Sequence, residues 1–286
     1  PQGAGLYDVA IKGEQIAAVT APGAVPDEAA SVVKDVTGKI VMPGGIDPHV
    51  HCAWHMPLPD GTATTSGPPE DVSRAALWGG TTMLIDFAAR TEPKPMADVI
   101  AERDQDWVGK VYCDYAYHLM LLGDLEPDLL AELPPLIQGG YPTVKIFTTN
   151  ITPSSAGRMV HFGDIWELFK VLTASGGLGV IHAEDNDIVM HMYEKLFREG
   201  RTSFHHLAEV HNQLSEDLSF RRVIRLAESE NTPLYFMHVS AATGVQAIRE
   251  ARAKGQPIYG ESLHQYMCFT EEDYKRPNGQ MYHTYP

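Results

Sequence analysis

Cysteine is scarce in this sequence, and its few copies are scattered. Cys52, Cys113 and Cys268 are odd in number, lie far apart and form no C-x-x-C pair. Such a pattern does not fit a disulfide framework and favours a reducing compartment. No apolar run is long enough to cross a bilayer, and no signal peptide is visible. We therefore expect a cytoplasmic protein without a membrane partner.

Positive charge is also in short supply. The chain carries 22 Lys and Arg against 37 Asp and Glu, a formal net charge of -15. This balance argues against nucleic acid and anionic membrane surfaces as partners, because both carry negative charge. The hydrophobic content of 44% and the 286-residue length are those of an ordinary globular protein with one large domain or slightly more.

The most informative stretch is Gly44–His51, which contains an H-x-H pair. The apolar run 39–42 leads into it and predicts a buried strand that ends in the two histidines. Side chains on a strand alternate faces with period two, so His49 and His51 should point the same way. Two neighbouring imidazoles can bind a divalent metal ion. Because a single H-x-H often arises by chance, the interpretation depends on whether later strands carry further metal-binding residues.

Residues 1 to 43 look all-β, and residues 44 to 286 alternate between strands and helices. The first part predicts a hairpin from strands 8–11 and 16–19 and a further strand at 32–36. In the second part, apolar runs predict six strands after the H-x-H strand, at 82–87, 114–122, 143–148, 178–182, 234–239 and 257–261, separated by helices. Seven such units predict an α/β fold, a (β/α)8 TIM barrel short of its last strand. A doubly wound open sheet is the alternative fold. It would need a glycine-rich phosphate-binding loop after the first strand, and the residues that follow His51 here contain no such loop.

Three more residues suited to metal binding lie on the later strands. Lys145 sits within strand four, His182 ends strand five and His238 lies near the end of strand six. In a barrel the carboxyl ends of all strands meet at one opening. A single histidine at such a position is more often a packed core residue. Because all of these residues lie on strands at corresponding positions, we favour one common metal site.

Lys145 is a charge inside the apolar run 144–147. Burying it unpaired costs several kcal/mol or forces the amine to be neutral. A neutral amine could form a Schiff base with a carbonyl substrate, or take up carbon dioxide to become a carbamate. The simpler alternative is a lysine that reaches solvent at a strand edge.

These motifs together resemble the amidohydrolase superfamily, and more narrowly its hydantoinase and dihydropyrimidinase branch. The matching stretches are Gly44–His51, 79–86, 144–147, 182–184, 238–240 and 260–266. The resemblance implies a TIM barrel, incomplete here, over residues 44–286. It also implies that residues 1–43 are part of a small β-sandwich domain, and that the protein is a homotetramer.

The resemblance implies a site with two divalent metal ions. His49 and His51 would bind one ion, His182 and His238 the other, and the carbamate of Lys145, made from carbon dioxide, would bridge both. Zinc is the metal we expect, with manganese or iron as alternatives. A hydroxide between the ions would attack a ring carbonyl of a small cyclic amide, ureide or imide and open its C–N bond.

The sequence departs from the family pattern in several places. The family has an aspartate at the end of strand eight as general acid and base, whereas after Glu261 the only aspartate is Asp273, in an unrelated polar run. We therefore expect sequence to be missing at both ends and this fragment alone to be inactive. Asn150 stands where relatives have an oxyanion-binding tyrosine, so we expect a substrate contact there. His55 is a second candidate contact, in the loop after the H-x-H.

Several functions stay open. Dihydroorotases place an arginine soon after the H-x-H, and residues 52–54 contain none, so that activity ranks below hydantoinase. An allantoinase activity remains an alternative. A non-catalytic, dihydropyrimidinase-related scaffold would not need five metal ligands. A Schiff-base enzyme using Lys145 would leave the four histidines without a shared purpose.

Overall fold

The computed structural model describes residues 3–57 and 62–283. The chain forms two compact units, Pro1–Pro43 and Gly44–Pro286. The predicted polar loop after the H-x-H begins at Asp60, and its first two residues lie outside the described residues. Within the described ranges, every helix is too short or too polar to span a lipid bilayer.

The first unit contains the predicted hairpin. Strands β1 (Asp8–Lys12) and β2 (Gln15–Thr20) pair antiparallel, with Gly13 at positive φ (63°) in the turn. A 3-10 helix follows at Asp27–Ala29. The strand predicted at 32–36 is wrong, because these residues have no strand pairing and the side chains of Val32 and Val33 are 71% and 58% exposed. Two paired strands do not make up a sandwich.

The second unit alternates strands and helices, as predicted. Its strands are β3 (Gly45–Asp47), β4 (His55–Pro57), β5 (Ala63–Thr65), β6 (Thr81–Ala89), β7 (Asp114–Met120), β8 (Thr143–Phe147), β9 (Leu178–His182), β10 (Leu234–Phe236) and β11 (Ile258–Gly260). Its α-helices are α1 (Pro69–Trp78), α2 (Met96–Trp107), α3 (Pro127–Gln138), α4 (Phe162–Ser175), α5 (Asn186–Arg198), α6 (Leu207–Val210), α7 (Gln213–Glu230) and α8 (Ala242–Ala253). Short 3-10 helices lie at Pro153–Ser155, Phe204–His206, His264–Met267, Glu271–Lys275 and Gly279–Tyr282.

Seven of these strands form one parallel sheet. Its order is β11-β10-β9-β8-β7-β6-β3, so the seven strands lie in the sheet in the order of the chain, with β4 and β5 left out between β3 and β6. β3 and β11 are the two edges, yet His49, just after β3, hydrogen bonds to Glu261, just after β11, at 2.5 Å. The sheet is therefore curled, with the carboxyl ends of its edge strands brought together. β4 and β5 form a separate antiparallel hairpin.

The alternation of side chains gives the sheet two different faces. Val144 and Ile146 of β8 belong to the large core beneath the helices, together with α4 residues such as Phe169. Phe147 of β8 and Val180 of β9 belong to a smaller cluster on the opposite face. Because the period is two, Lys145 and His182 share that second face.

The first strand of the sheet is shorter than predicted. Residues 39–42 are not part of any strand, and Ile40 and Met42 are 90% and 75% exposed. Only Gly45–Asp47 pairs with β6, and the sheet continues no further on that side within the described residues. A strand at a sheet edge has one neighbour rather than two, which leaves more of it uncovered.

Candidate metal centre

The H-x-H pair lies immediately after the edge strand β3. The ring centroids of His49 and His51 are 5.1 Å apart. His118, on the inner face of β7, places its Nε2 2.8 Å from the carbonyl oxygen of Pro48, and its Nδ1 lies 2.8 Å from Thr143 Oγ1. Burial lowers the pKa of His118 to about 4, so it acts as a neutral donor. This contact holds the main chain that carries the two histidines.

A buried ion pair holds the residues just after His51. The Asp86 carboxylate accepts hydrogen bonds from the Cys52 amide and from Trp54 Nε1, each at 2.9 Å. It also pairs with Arg103 of α2 at 2.6 Å, and the Asp86 side chain is fully buried. Burial raises the pKa of Asp86, and Arg103 and the N–H donors oppose that change. The His51 ring stacks on Phe87 with 4.7 Å between centroids.

Lys145 is buried and has no carboxylate at ion-pair distance in the part of the chain that the structure describes. Its Nζ donates to the Met237 thioether at 2.8 Å and lies 4.6 Å from the Phe147 ring centroid. Burial lowers the pKa of Lys145 well below its ordinary value, while the charge of Glu261 opposes this. Thioethers are weak acceptors, so the amine is held neutral and poorly satisfied.

His182 and His238 face each other on the same side of the sheet. His182 Nδ1 lies 3.1 Å from His238 Nε2, and the ring centroids of His238 and His49 are 5.5 Å apart. Burial lowers the pKa of His182 to about 4 and that of His238 well below its usual value. His238 also has a positive φ of 38°, a sparsely populated conformation that tertiary contacts must maintain.

Two glutamates that were not predicted from the sequence join this cluster. Glu184 accepts from His182 Nε2 at 2.8 Å, and Glu261 contacts His49 Nδ1 at 2.5 Å. Burial raises the pKa of Glu184, but hydrogen bonds from His182 and His211 lower it to about 2. Glu184 lies two residues after His182, which ends β9, and Glu261 directly follows β11. The acid two residues after His182 was a sequence signal for Glu184, whereas the contact of Glu261 with His49 joins residues 212 positions apart and depends on the curl of the sheet.

The structure gives two other predicted residues different surroundings. Asn150 Oδ1 accepts from the amides of Arg158 and Met159 at 3.0 and 2.9 Å, so it braces the loop after β8. A hydrogen bond from Asn150 to a substrate would therefore have to come from Nδ2. His55 is exposed on β4 and is not brought into the histidine cluster. Asp273 caps its own 3-10 helix and pairs with Arg276 at 2.7 Å, a purely local role.

The four histidines and Lys145 fit divalent metal ions in the chemistry of their nitrogens and in the distance between His182 and His238. Ligating imidazoles must be neutral, as His182 and His238 are held here. Nitrogens bound 2.0–2.1 Å from a tetrahedral ion are about 3.4 Å apart, close to the 3.1 Å between His182 Nδ1 and His238 Nε2. Across residues 3–57 and 62–283, no three His, Cys, Asp or Glu side chains converge on one ligand point. The rings instead make hydrogen bonds to each other and to the two glutamates.

The fold and the cluster together define a TIM-barrel-like α/β protein with histidines at its strand ends, and comparisons with known proteins agree. A D-hydantoinase from Geobacillus stearothermophilus is 33% identical over 256 residues, which are 88% of this chain and 52% of that protein. A dihydropyrimidinase from Arabidopsis thaliana is 33% identical over 264 residues, 90% of this chain and 46% of that protein. The structure of a D-hydantoinase from a Bacillus sp. AR9 superposes with a TM-score of 0.84 at 31% identity, covering 96% of this chain and 57% of that one.

The chain is therefore a homologue of the D-hydantoinases and dihydropyrimidinases, and the resemblance predicted from its motifs is confirmed. No family model matches the sequence. The chain spans about half the length of the curated relatives it matches.

Proposed function

We propose that the protein hydrolyses the ring C–N bond of a small cyclic amide, ureide or imide of the hydantoin or dihydropyrimidine type. The observation that carries the proposal is the meeting of His49, His182 and His238 with buried Lys145 on one face of the curled sheet. The homology to hydantoinases supports the same reaction.

In this proposal the protein binds two divalent metal ions, most consistently zinc. His49 and His51 would hold one ion, His182 and His238 would hold the other, and Lys145 as its carbamate would hold both. The ions would supply Lewis acidity and lower the pKa of bound water. Lys145 suits the role because a neutral amine is the form that takes up carbon dioxide, and burial keeps it neutral.

Two aromatic residues position one of the proposed ligands. Trp54 and Phe87 contact the His51 ring, with Trp54 at 4.8 Å and Phe87 at 4.7 Å between centroids. We place the substrate at the carboxyl ends of the strands, with the Asn150 amide and His55 as candidate contacts.

The same proposal covers the wider architecture. We infer that the curled sheet is part of a (β/α)8 barrel, and that the hairpin of Pro1–Pro43 is part of a β-sandwich. We also propose a cytoplasmic homotetramer. Three free cysteines agree with a reducing compartment.

The experiment is metal analysis and a substrate panel on the full-length protein, purified without chelators. Hydantoin, dihydrouracil, allantoin and dihydroorotate form the panel, and Lys145→Ala is compared with the parent. We expect about two ions per chain and hydrolysis of at least one substrate. Lys145→Ala should lose both the bound metal and the hydrolytic activity, and short carboxylic acids should restore part of the activity.

The matched control is Lys170→Ala, a lysine on α4 whose exposed amine pairs with Glu167. It should keep metal and activity. Full activity in Lys145→Ala would contradict the bridging role. A folded protein that binds no metal when supplied with zinc and bicarbonate would refute the hydrolase proposal and favour a scaffold.

A further inference from the structure

Two partly buried carboxylates each contact the ring of one of the four candidate histidine ligands. Glu184 Oε2 lies 2.8 Å from His182 Nε2, and Glu261 Oε1 lies 2.5 Å from His49 Nδ1. His182 and His49 belong to the two different ligand pairs of the proposed centre. We infer that Glu184 and Glu261 are positioning residues, one for each metal position, which fix the tautomer and orientation of His182 and His49. This inference rests on the proposed function.

The carboxylates determine where the ring hydrogens lie. An ionised carboxylate can only accept, so the imidazole nitrogen that faces it must carry the hydrogen. A neutral imidazole has only one N–H. His182 therefore has its hydrogen on Nε2 and a lone pair on Nδ1, the nitrogen that faces His238. By the same reasoning His49 has its hydrogen on Nδ1 and a lone pair on Nε2. A carboxylate behind the ring also makes a ligating histidine more basic and holds its orientation.

Each glutamate is itself fixed by a second partner. Glu184 Oε1 lies 2.7 Å from His211 Nδ1, and His211 Nε2 lies 3.2 Å from the Tyr193 hydroxyl. This chain of hydrogen bonds thus links the carboxyl end of β9 to helix α5. A glutamate free to rotate would not define a tautomer, and this one is held at both oxygens.

Glu261 is held in the same way. The Tyr235 hydroxyl donates to Glu261 Oε2 at 3.0 Å, and the His238 amide donates to Glu261 Oε1 at 3.3 Å. Glu261 therefore touches the ring of one ligand and the backbone of another. The side chains of Glu184 and Glu261 are 13% and 10% exposed, so water competes little for these bonds.

The test has two independent readouts on the full-length protein. The first is the tautomer of each histidine, read from ring ¹⁵N chemical shifts in chelator-treated, histidine-labelled protein. We expect the Nε2–H form for His182 and the Nδ1–H form for His49. Glu184→Ala should lose the single tautomer at His182 only, and Glu261→Ala at His49 only.

The second readout is zinc affinity, measured by competition with a chromophoric chelator. Each alanine variant should bind zinc about 10- to 100-fold more weakly. Glu184→Gln should be partly rescued, because the amide oxygen can still accept from His182 Nε2. This glutamine variant also decides the outcome if Glu184→Ala does not fold. A purely structural role would lower stability equally but leave tautomer and zinc affinity unchanged.

Glu132→Ala is the matched control. Glu132 is a half-buried carboxylate on α3 that accepts from the Met96 amide at 2.7 Å and contacts none of the histidines. It should keep both tautomers and the parental zinc affinity. Unchanged tautomers and affinity in both Glu184→Ala and Glu261→Ala would overturn the inference. If the parent binds no zinc but each variant still loses its tautomer, the orienting role stands and the proposed hydrolase function fails.

Discussion

Replacing Lys145 by methionine should make the metal-free protein more stable at pH 8. The amine is buried, and its acceptor is the Met237 thioether. Its ordinary pKa is 10.5, so holding it neutral at pH 8 costs about 3.4 kcal/mol, at about 1.4 kcal/mol per pKa unit. A methionine is also unbranched, and such volume-conserving exchanges cost less than about 1.5 kcal/mol in packing. The net gain in free energy of unfolding is about 2 kcal/mol.

The gain should depend on pH in a defined direction. The pKa of Lys145 is depressed in the folded state, so the unfolded chain binds more protons and the parent becomes more stable as pH rises. At about pH 9.5 the cost of neutral Lys145 falls to about 1.4 kcal/mol. The packing cost then cancels it, and Lys145→Met and the parent should be equally stable. Below pH 8 the advantage of the variant should grow.

The assay is urea unfolding of both proteins at pH 8 and 9.5, with chelator and in carbonate-free buffer. These conditions matter because bound metal would stabilise the parent by mass action, and a carbamate would change the charge of Lys145. Lys170→Met is the control, and as a surface change it should shift stability by no more than about 0.5 kcal/mol. A Lys145→Met protein less stable than the parent at pH 8, or a gain independent of pH, would refute the reasoning.

Thiol reactivity, a buried ion pair and metal uptake each provide a further test. Burial raises the pKa of the Cys52 thiol to about 12. A thiol reagent added to the native protein at pH 8 should therefore label exposed Cys268 quickly and leave Cys52 unlabelled until urea is added. Rapid labelling of Cys52 in the native protein would contradict its burial. Asp86→Ala should lower the free energy of unfolding by about 3–5 kcal/mol, because it removes the fully buried partner of Arg103 and the acceptor of the Cys52 amide and Trp54 Nε1, and leaves Arg103 only its pair with the more exposed Asp106. A loss below about 1 kcal/mol in urea would show that the Asp86–Arg103 pair contributes little. Adding zinc and bicarbonate to chelator-stripped full-length protein, at about 100 times the dissociation constant, should raise unfolding stability by about 2.7 kcal/mol, and an unchanged melting temperature would argue against specific uptake.

Periodicity and strand-end positions were enough to predict most of the larger unit. The helix at Met96–Trp107 and the strand at Leu178–His182 end where their apolar patterns end, because each element has one face against the core. The apolar run 39–42 was misread because it precedes the strand and joins no sheet, so its side chains are left exposed. Hydrophobicity alone does not show at which residue strand pairing begins.

The candidate site was predictable in part for a similar reason. His182 and Lys145 are polar residues in apolar strands, and the structure places both on the inner face. Which ring nitrogen faces which partner depends on tertiary contacts such as that between His211 and Glu184, 27 residues apart. Asn150 shows the limit of reasoning by position, because the conformation of its loop directs Oδ1 to backbone amides.

The hydrogen bond between His49 and Glu261 joins residues 212 positions apart in the chain. During synthesis, the histidine emerges long before the glutamate that contacts it. The candidate cluster therefore cannot be complete while the chain is still growing through its first six strands. A nascent chain would present His49 and His51 without the carboxylate that contacts His49, and this contact between the two edges of the sheet would form only when β11 joins it. The timing of assembly is thus built into the order of the strands.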